Sequence, residues 1–269
     1  MRRWTAVLLG LLLWAGTTGA ASPIEEAAHE VRQAAGAHRL IVLGELHGTR
    51  EVPRLAAALA AAYARAGEPV VLALELPRDG SAASRAYLHS DGGTAARQAL
   101  AAHRFLRPPA PVHDGRRNGA VIELHEALRR LRARGADVAI APIDVERSTG
   151  GAGARDRMLA ERLRRIHEAL PRGRVIAVVG NVHAMRFRPQ GPSWPARLQA
   201  PMAWHLRDLE PFTVNVAARA GESWGCASRG HCGPRPVFPS DARSRTLGPN
   251  DPWHYALYFP RFSLAEPLR

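Results

Sequence analysis

The chain has 269 residues, 46% of them hydrophobic, which is enough to build a core and argues against intrinsic disorder. Its formal net charge at pH 7 is +13, and all 37 basic residues are Arg. Because these Arg residues are scattered along the sequence and do not form one basic tract with interleaved aromatics, the composition argues against nucleic-acid binding. A basic surface would still attract anionic ligands.

Residues 1–21 predict a cleavable signal peptide. Two Arg residues are followed by an apolar run from Trp4 to Ala15 and then by small residues up to Ala21. The apolar run is shorter than the roughly 20 residues that a membrane-spanning helix needs, which argues against an uncleaved anchor. We therefore expect a periplasmic or secreted protein in which residues 22–269 form a single domain with no transmembrane span.

Short apolar runs rich in Val, Ile and Leu predict four buried strands. They are Arg39–Gly44, Pro69–Leu76, Asp137–Ile143 and Arg174–Val179. The other patterned segments predict helices, namely Pro53–Arg65, Ser81–Leu88, Ala95–Phe105, a helix capped by Asn118 that runs to Arg134, and Arg155–Leu170. Buried strands that alternate with helices are typical of an α/β fold, with a mainly parallel sheet and helices on both faces.

The sequence changes character after about residue 187. Pro becomes more frequent and the helical periodicity fades. Two short apolar runs, Phe212–Ala217 and Trp253–Phe259, predict edge strands that extend the same domain. We expect this C-terminal part to be less regular than the preceding α/β region.

Two cysteines, Cys226 and Cys232, lie six positions apart in a Gly-rich stretch. Export would place them in an oxidising compartment, so we expect a disulfide that closes a small loop. A metal site formed by both cysteines and His231 is the alternative, although a fourth ligand is not evident.

Polar and ionisable side chains lie at the carboxyl ends of the four predicted strands. They are Glu45, His47, Glu75, Asp144, Asn181 and His183. Ligands of open α/β sheets bind at this edge, so the convergence predicts a functional site. Structural alternatives exist, because Glu75 could form a buried salt bridge, Asp144 could cap a helix, and the other residues could belong to ordinary loops.

Three arginines are candidates for binding an anionic group of a substrate at the same edge. Arg50, Arg116 and Arg155 fall in predicted loops or at helix starts that follow the strands. A guanidinium can bind a carboxylate through two parallel hydrogen bonds, which suits this role. The structural alternative is that these residues are solvated surface arginines.

Several short motifs resemble one superfamily. They are Gly44–Thr49, which is similar to its G-E-x-H signature, Ala73–Glu75, Asp114–Arg116, Arg155–Ala160 and Gly180–Ala184. This superfamily groups the bacterial haem-binding uptake protein ChaN, the erythromycin esterases, TraB and the Tiki proteases, and the motifs resemble its ChaN-like branch most. The resemblance implies a shared α/β fold with a Glu/His site at the strand ends, and either hydrolysis or haem binding.

The first functional hypothesis is hydrolysis of an ester or peptide bond in a small-molecule or peptide substrate. His47 or His183 would be the general base, and Glu45 and Glu75 would orient it. These four residues would also be the ligands of a divalent metal, if one is used. A metal-free carboxylate–His site could cleave an ester or a lactone. The sequence has neither a G-x-S-x-G nucleophile motif nor an H-E-x-x-H zinc motif.

The second hypothesis is a haem-binding protein of the ChaN type. His254, Tyr255 and Tyr258 form a local cluster of residue types that ligate haem iron, and Arg residues could contact the propionates. ChaN-like members often have a further His after the G-E-x-H segment, whereas residues 50–54 here contain none. A third hypothesis is an interaction module with a relic site, in which Arg residues neutralise the strand-end carboxylates and no cavity is accessible.

Overall fold

A mainly parallel, seven-stranded sheet is the centre of the fold. The computed structural model describes residues 21–107, 115–145, 150, 151, 153–187, 200–228 and 231–268. The strands are β1 (Leu40–Glu45), β2 (Val70–Pro77), β3 (Val138–Asp144), β4 (Arg174–Gly180), β5 (Phe212–Ala218), β6 (Glu222–Ser228), β7 (His231–Pro236), β8 (Arg245–Thr246) and β9 (Tyr255–Phe259). The sheet has the order β3-β2-β4-β1-β5-β9-β8, in which only β8 is antiparallel to its neighbour.

Helices cover both faces of this sheet, which confirms the predicted α/β class. They are α1 (Pro23–Ala35), α2 (Glu51–Arg65), α3 (Ser81–Leu88), α4 (Thr94–Ala102), α5 (Gly119–Ala133), α6 (Ala154–Ala169) and α7 (Met202–His205), with 3-10 turns at Arg78–Gly80 and Arg207–Leu209. None of the helices in the described ranges is long and apolar enough to cross a lipid bilayer.

The core has two layers, because successive side chains of a strand point to opposite faces of the sheet. Ile41 and Leu43 of β1 belong to a large apolar cluster with helices α1, α2, α3 and α5. Leu40 and Val42 belong to a smaller cluster with α6 and α7. The strands are therefore buried on both sides, and the polar residues that follow them emerge at the edge of the sheet.

Helix α1 is an element that the sequence analysis did not assign. Ser22 caps it with a reciprocal pair of hydrogen bonds to Glu25, and Pro23 occupies its first turn. The spacing Ser-x-x-Glu is the signature of such a capping box. The helix packs through Val31 and Ala35, both fully buried, so its apolar face belongs to the large core cluster.

The C-terminal strands extend the sheet beyond β1, as predicted. Strand β8 is the edge strand, whereas β5 and β9 each have a partner on both sides. Strands β6 and β7 form a separate antiparallel hairpin, an arrangement that we did not predict. The predicted disulfide between Cys226 and Cys232 is confirmed and links this pair of strands. Because both sulfurs are in the disulfide, the alternative metal site with His231 is wrong.

Candidate active site

A cavity of about 320 Å³ opens at the carboxyl ends of β1, β2 and β4. This is the edge of the sheet at which parallel α/β folds bind ligands. Most of the predicted site residues line the cavity. The lining consists of Glu45, Leu46, His47, Glu75, Arg116, Arg155, Gly180, Asn181, Val182 and His183. The cavity is accessible, which removes one of the two conditions of the relic hypothesis.

The close approach of β1 and β4 brings their terminal residues together. Glu45 lies in register with Gly180, and Gly44 with Val179. A Cβ atom added to Gly44 would lie 2.8 Å from Ala184 Cβ and 2.9 Å from the Asn181 backbone. Only glycine fits there, so the first residue of the predicted motif serves to pack the two strand ends against each other.

The carboxylate of Glu75 is the most enclosed group of the site. Its Oε2 accepts a hydrogen bond of 2.6 Å from the Gly180 backbone N–H, and its Oε1 accepts from Arg116 at 3.0 Å and from Arg155. Burial alone would raise the pKa of Glu75, but four neighbouring side chains outweigh it and hold this pKa well below its ordinary value, namely Arg116, His47, His183 and Arg155. Glu75 is therefore ionised.

Asp144 is the second buried carboxylate and, unlike Glu75, does not line the cavity, so the structure does not place it where it was predicted to contact a substrate. Arg155 contacts it with two nitrogens, at 3.0 and 2.6 Å, and Arg116 contacts it at 2.6 Å. Burial disfavours the charged form of Arg155, but Glu75 and Asp144 outweigh it and raise the pKa of Arg155. The two carboxylates and two guanidiniums thus form a neutral cluster in which each carboxylate contacts both arginines.

His47 is held by one ring nitrogen and faces the cluster with the other. Its Nδ1 donates to Glu45 Oε1 at 3.0 Å, and its Nε2 lies 3.9 Å from Glu75 Oε2. Burial opposes protonation of the ring, but the charge of Glu75 and the hydrogen bond to Glu45 outweigh it and raise the pKa of His47. This is the arrangement of an oriented base beside a fixed carboxylate.

His183 is engaged at both ring nitrogens. Its Nδ1 lies 2.6 Å from Asp156 Oδ1, and its Nε2 lies 2.7 Å from Arg155 Nη1. Since a guanidinium can only donate, Nε2 is the acceptor and Nδ1 carries the proton. His183 therefore holds Arg155 in place.

Asp156 is a site residue that the sequence analysis missed, although it follows Arg155 in a motif that we had singled out. It is buried at the start of α6, and its Oδ1 also accepts from the Met202 backbone N–H at 2.8 Å. Asp156 lies at the start of a helix, whereas the sequence analysis selected acidic site candidates only from residues at the ends of strands, so it was not selected. An acidic residue in the first turn of a helix most often has only a capping role.

The donor set does not fit a divalent metal. In the part of the chain that the structure describes, no group of three or more His, Cys, Asp or Glu side chains is arranged to hold one. Both oxygens of Glu75 already accept hydrogen bonds, and guanidiniums contact this carboxylate and that of Asp144. A dication placed among these guanidiniums would be repelled, so we derive no step through a metal.

Of the remaining predicted residues, Arg50 lies outside the cavity and Asn181 lies in its lining. Arg50 is exposed, and its Nε donates to the Leu264 carbonyl at 3.0 Å, so the structure does not bring it to the cavity. Asn181 lines the cavity, and its backbone carbonyl accepts from Trp253 Nε1 at 3.1 Å. Asp114, from the Asp114–Arg116 motif, lies outside the described residues.

A second cavity, of about 550 Å³, lies apart from this site and includes one residue of the proposed haem cluster. His254 lines it together with His38, Arg186, Phe187, Trp204 and Arg207, among others. Tyr255 is buried with its hydroxyl donating to Glu30, and Tyr258 is half-buried in the same strand. Neither tyrosine lines the cavity, so the three residues do not act as one cluster.

No protein-family model and no curated protein matches the sequence. Solved structures share its fold. A Bacillus cereus protein matches with a TM-score of 0.66 at 11% identity, over 93% of this chain and 94% of that chain. A succinoglycan biosynthesis protein matches with a TM-score of 0.66 at 9% identity, over 89% and 92%. A variant of the erythromycin esterase EreC in its open conformation matches with a TM-score of 0.55 at 12% identity, over 90% and 80%. At these identities the likeness shows the fold alone.

Proposed function

We propose that this chain is an exported hydrolase of the superfamily of ChaN and the erythromycin esterases, and that it cleaves an ester or lactone without a metal ion. The observation that carries the proposal is the placement of His47. Its Nδ1 is held by Glu45, while its Nε2 faces the cavity beside the buried carboxylate of Glu75. The shared fold with an esterase supports the reaction class.

The nucleophile in this proposal is a water molecule bound between His47 Nε2 and Glu75 Oε2. The two atoms are 3.9 Å apart, too far for a direct hydrogen bond and suited to one bridging water. His47 takes a proton from the water as its oxygen attacks the carbonyl carbon. The same proton then passes to the alcohol oxygen when the ester bond breaks, so that an acid and an alcohol leave.

The cavity also has groups that suit the rest of the substrate. Arg116 and Arg155 line it and place positive charge next to the position where the carbonyl oxygen becomes negative. Their positions are fixed by Glu75 and Asp144, so little reorganisation is needed during the reaction. Leu46, which is 39% exposed, provides an apolar surface at the cavity for an acyl or alcohol group.

His183 is the weaker candidate for the base. Its Nε2 accepts from Arg155 and its Nδ1 contacts Asp156, so both nitrogens have protein partners. A base needs a free lone pair within reach of the proton that it removes. We therefore assign His183 to positioning Arg155 and assign the proton transfer to His47.

The test compares His47→Gln with a histidine variant outside the site, His89→Gln. His89 is exposed at the end of α3. Both proteins and the parent would be assayed on p-nitrophenyl esters, simple lactones and erythromycin, with and without EDTA. We expect kcat/KM of His47→Gln to fall roughly 10²- to 10⁴-fold, with His89→Gln unchanged and EDTA without effect. Full activity of His47→Gln, or loss of activity in EDTA that zinc restores, would contradict the proposal.

Export is part of the same proposal, with residues 22–269 as the mature domain. Ser22, directly after the proposed cleavage site, caps the first described helix, so cleavage there would leave α1 complete. The full chain would be expressed in a bacterial host, and the N-terminus of the periplasmic or secreted product determined by mass spectrometry. A product that begins at or near Ser22 is expected, and an intact N-terminus would contradict cleavage.

Haem binding is the second candidate, and the cavity that contains His254 favours it. His38 Nδ1 donates to the Glu210 carbonyl, which leaves its Nε2 as a candidate ligand. His254 Nδ1 accepts from the Thr213 backbone N–H, so its Nε2 carries the proton and lies in the wall of the cavity. Arg186 and Arg207 could contact propionates. One candidate axial ligand, His38, and two arginines of the cavity therefore suit haem. Titration with haem distinguishes the candidates, because a one-to-one Soret shift that is lost in His38→Ala and retained in Glu75→Gln would favour haem binding over hydrolysis.

A further inference from the structure

The disulfide-linked hairpin, formed by β6 and β7 (residues 222–228 and 231–236), lies against two loops of the candidate active site. The Trp224 backbone N–H donates to the Gly48 carbonyl at 3.2 Å. Gly48 directly follows His47, and a second glycine beside Trp224, Gly115, directly precedes Arg116. One residue of the hairpin thus contacts the neighbours of the proposed base and of a cavity arginine.

The packing at these contacts is backbone against backbone. A Cβ atom on Gly48 would lie 2.4 Å from Trp224 Cβ, and one on Gly115 would lie 2.4 Å from the Trp224 carbonyl oxygen. Both glycines have positive φ, 75° and 89°. Close contact of this kind leaves no room for adjustment, so a shift of Trp224 must be transmitted to the two loops.

The hairpin is joined to the main domain at its base, where the Glu222 backbone N–H donates to the Phe262 carbonyl at 3.2 Å. Its two strands form a sheet of their own, and an isolated two-stranded hairpin is marginally stable in water. The disulfide joins Cys226 to Cys232, which are paired across the strands two residues beyond the pair of Trp224 and Pro234. The covalent link therefore lies next to the residue that contacts the active-site loops.

We propose that this hairpin is a redox-sensitive clamp on the catalytic loops, a proposal that rests on the hydrolase function. With the disulfide closed, Trp224 fixes Gly48 and Gly115 and thereby positions His47 and Arg116. A dithiol reductant opens the clamp: its two thiols give two electrons and two protons, the S–S bond breaks, Cys226 and Cys232 become thiols, and the reductant becomes a cyclic disulfide. The loosened hairpin then lets the loops move.

The test measures ester hydrolysis and hydrogen exchange on the same full-length mature protein, oxidised and after reduction with dithiothreitol. We expect kcat to fall about 10-fold or more with little change in KM, because a base misplaced by about 1 Å can cost roughly 100-fold in rate. Amide exchange should accelerate in residues 44–50 and 222–226 and stay unchanged in β4. A purely structural role of the disulfide would instead accelerate exchange in β4 as well.

The control is the Cys226→Ser/Cys232→Ser double variant. It should have the low kcat and the fast local exchange of the reduced protein, and dithiothreitol should change neither. Equal kcat and equal exchange in the oxidised and reduced parent would overturn the clamp, as would exchange that accelerates throughout the core. If neither form hydrolyses any ester, the hydrolase function fails, and the exchange of residues 44–50 alone then decides the clamp.

Discussion

Two histidines in different regions of this molecule have pKa values that are shifted in opposite directions. His125 lies between α5 and α3, where its Nδ1 donates to the Val121 carbonyl at 2.8 Å and its Nε2 accepts from the Ser84 hydroxyl at 3.1 Å. Burial lowers the pKa of His125 to about 4. At the sheet edge, burial of His47 acts in the same direction, but Glu75 and Glu45 outweigh it and raise the pKa of His47.

The comparison shows that neighbouring carboxylates, and not burial, decide which histidine can do chemistry. His125 has two neutral partners and is fully enclosed, so it stays uncharged and serves packing. His47 lies beside ionised groups and a cavity, so it can take up a proton near neutral pH.

Removal of the central carboxylate should have the largest effect. Glu75→Gln removes one of the two carboxylates that neutralise the half-buried guanidiniums of Arg116 and Arg155. We therefore expect the free energy of unfolding to fall by about 3 kcal/mol in urea titrations. The pKa of His47, followed by NMR, should fall as well. The control is Glu123→Gln, which breaks an exposed ion pair with Arg54 and should cost less than about 1 kcal/mol. Equal losses in the two variants would refute the central role of Glu75.

Acid should destabilise the protein through His125. Its pKa in the folded state, about 4, lies below the value of about 6.5 in the unfolded chain, so the unfolded state binds the proton first as the pH falls. Stability should therefore drop between pH 6.5 and pH 4, by on the order of 3 kcal/mol from this residue. Urea unfolding of the parent and of His125→Gln across this range measures it. If the difference between the two proteins did not change with pH, His125 would not be the cause.

The rate of ester hydrolysis should rise with pH through the pKa of His47. The neutral ring is the active form, and its pKa is raised, so the inflection should lie above about 6.5. Glu45→Gln keeps an oxygen for the Nδ1 hydrogen bond and removes the charge, and we expect it to lower the inflection by about one pH unit or less. A pH–rate profile of kcat/KM tests this, and an unmoved inflection would mean that Glu45 only orients the ring.

The smallest effect on kcat/KM is expected from substitution of Arg50, which does not line the cavity. Arg50→Gln removes a hydrogen bond to the Leu264 carbonyl outside the cavity, so kcat/KM should change less than about 2-fold. Arg116→Gln, measured in the same ester assay, should lower kcat/KM by about 10-fold or more, because it removes a charge that faces the substrate. A larger effect at Arg50 than at Arg116 would invalidate the boundary of the site.

The sequence predicted the strands well because their apolar runs are short and end in polar residues. The four predicted strands agree with β1 to β4 to within one residue at each end. The carboxyl ends of parallel strands lie at one edge of the sheet. The positions of Glu45, His47, Glu75 and His183 at or just after strand ends were therefore enough to predict that these residues converge. The order of the strands and the interior position of β5 depend on contacts between distant segments, which single-chain patterns do not contain.

Residues placed by helices and loops were harder to predict. Asp156 reaches His183 only because the start of α6 packs beside the end of β4, and Arg50 turns away because the chain near Leu264 provides a carbonyl for it. The hairpin was also missed, since Gly and Pro in β6 and β7 are typical of loops and reduce strand propensity. In each case a tertiary contact overrides the local preference.

The contact of Gly48 and Gly115 with Trp224 has a consequence for the evolution of this fold. A side chain at either glycine would meet the hairpin backbone, so a lineage can replace these glycines only if it also loses or moves the hairpin. Distant relatives that have the hairpin in this position should therefore also have both glycines. A side chain at either position in a diverged sequence would then identify members in which the hairpin is absent or lies elsewhere.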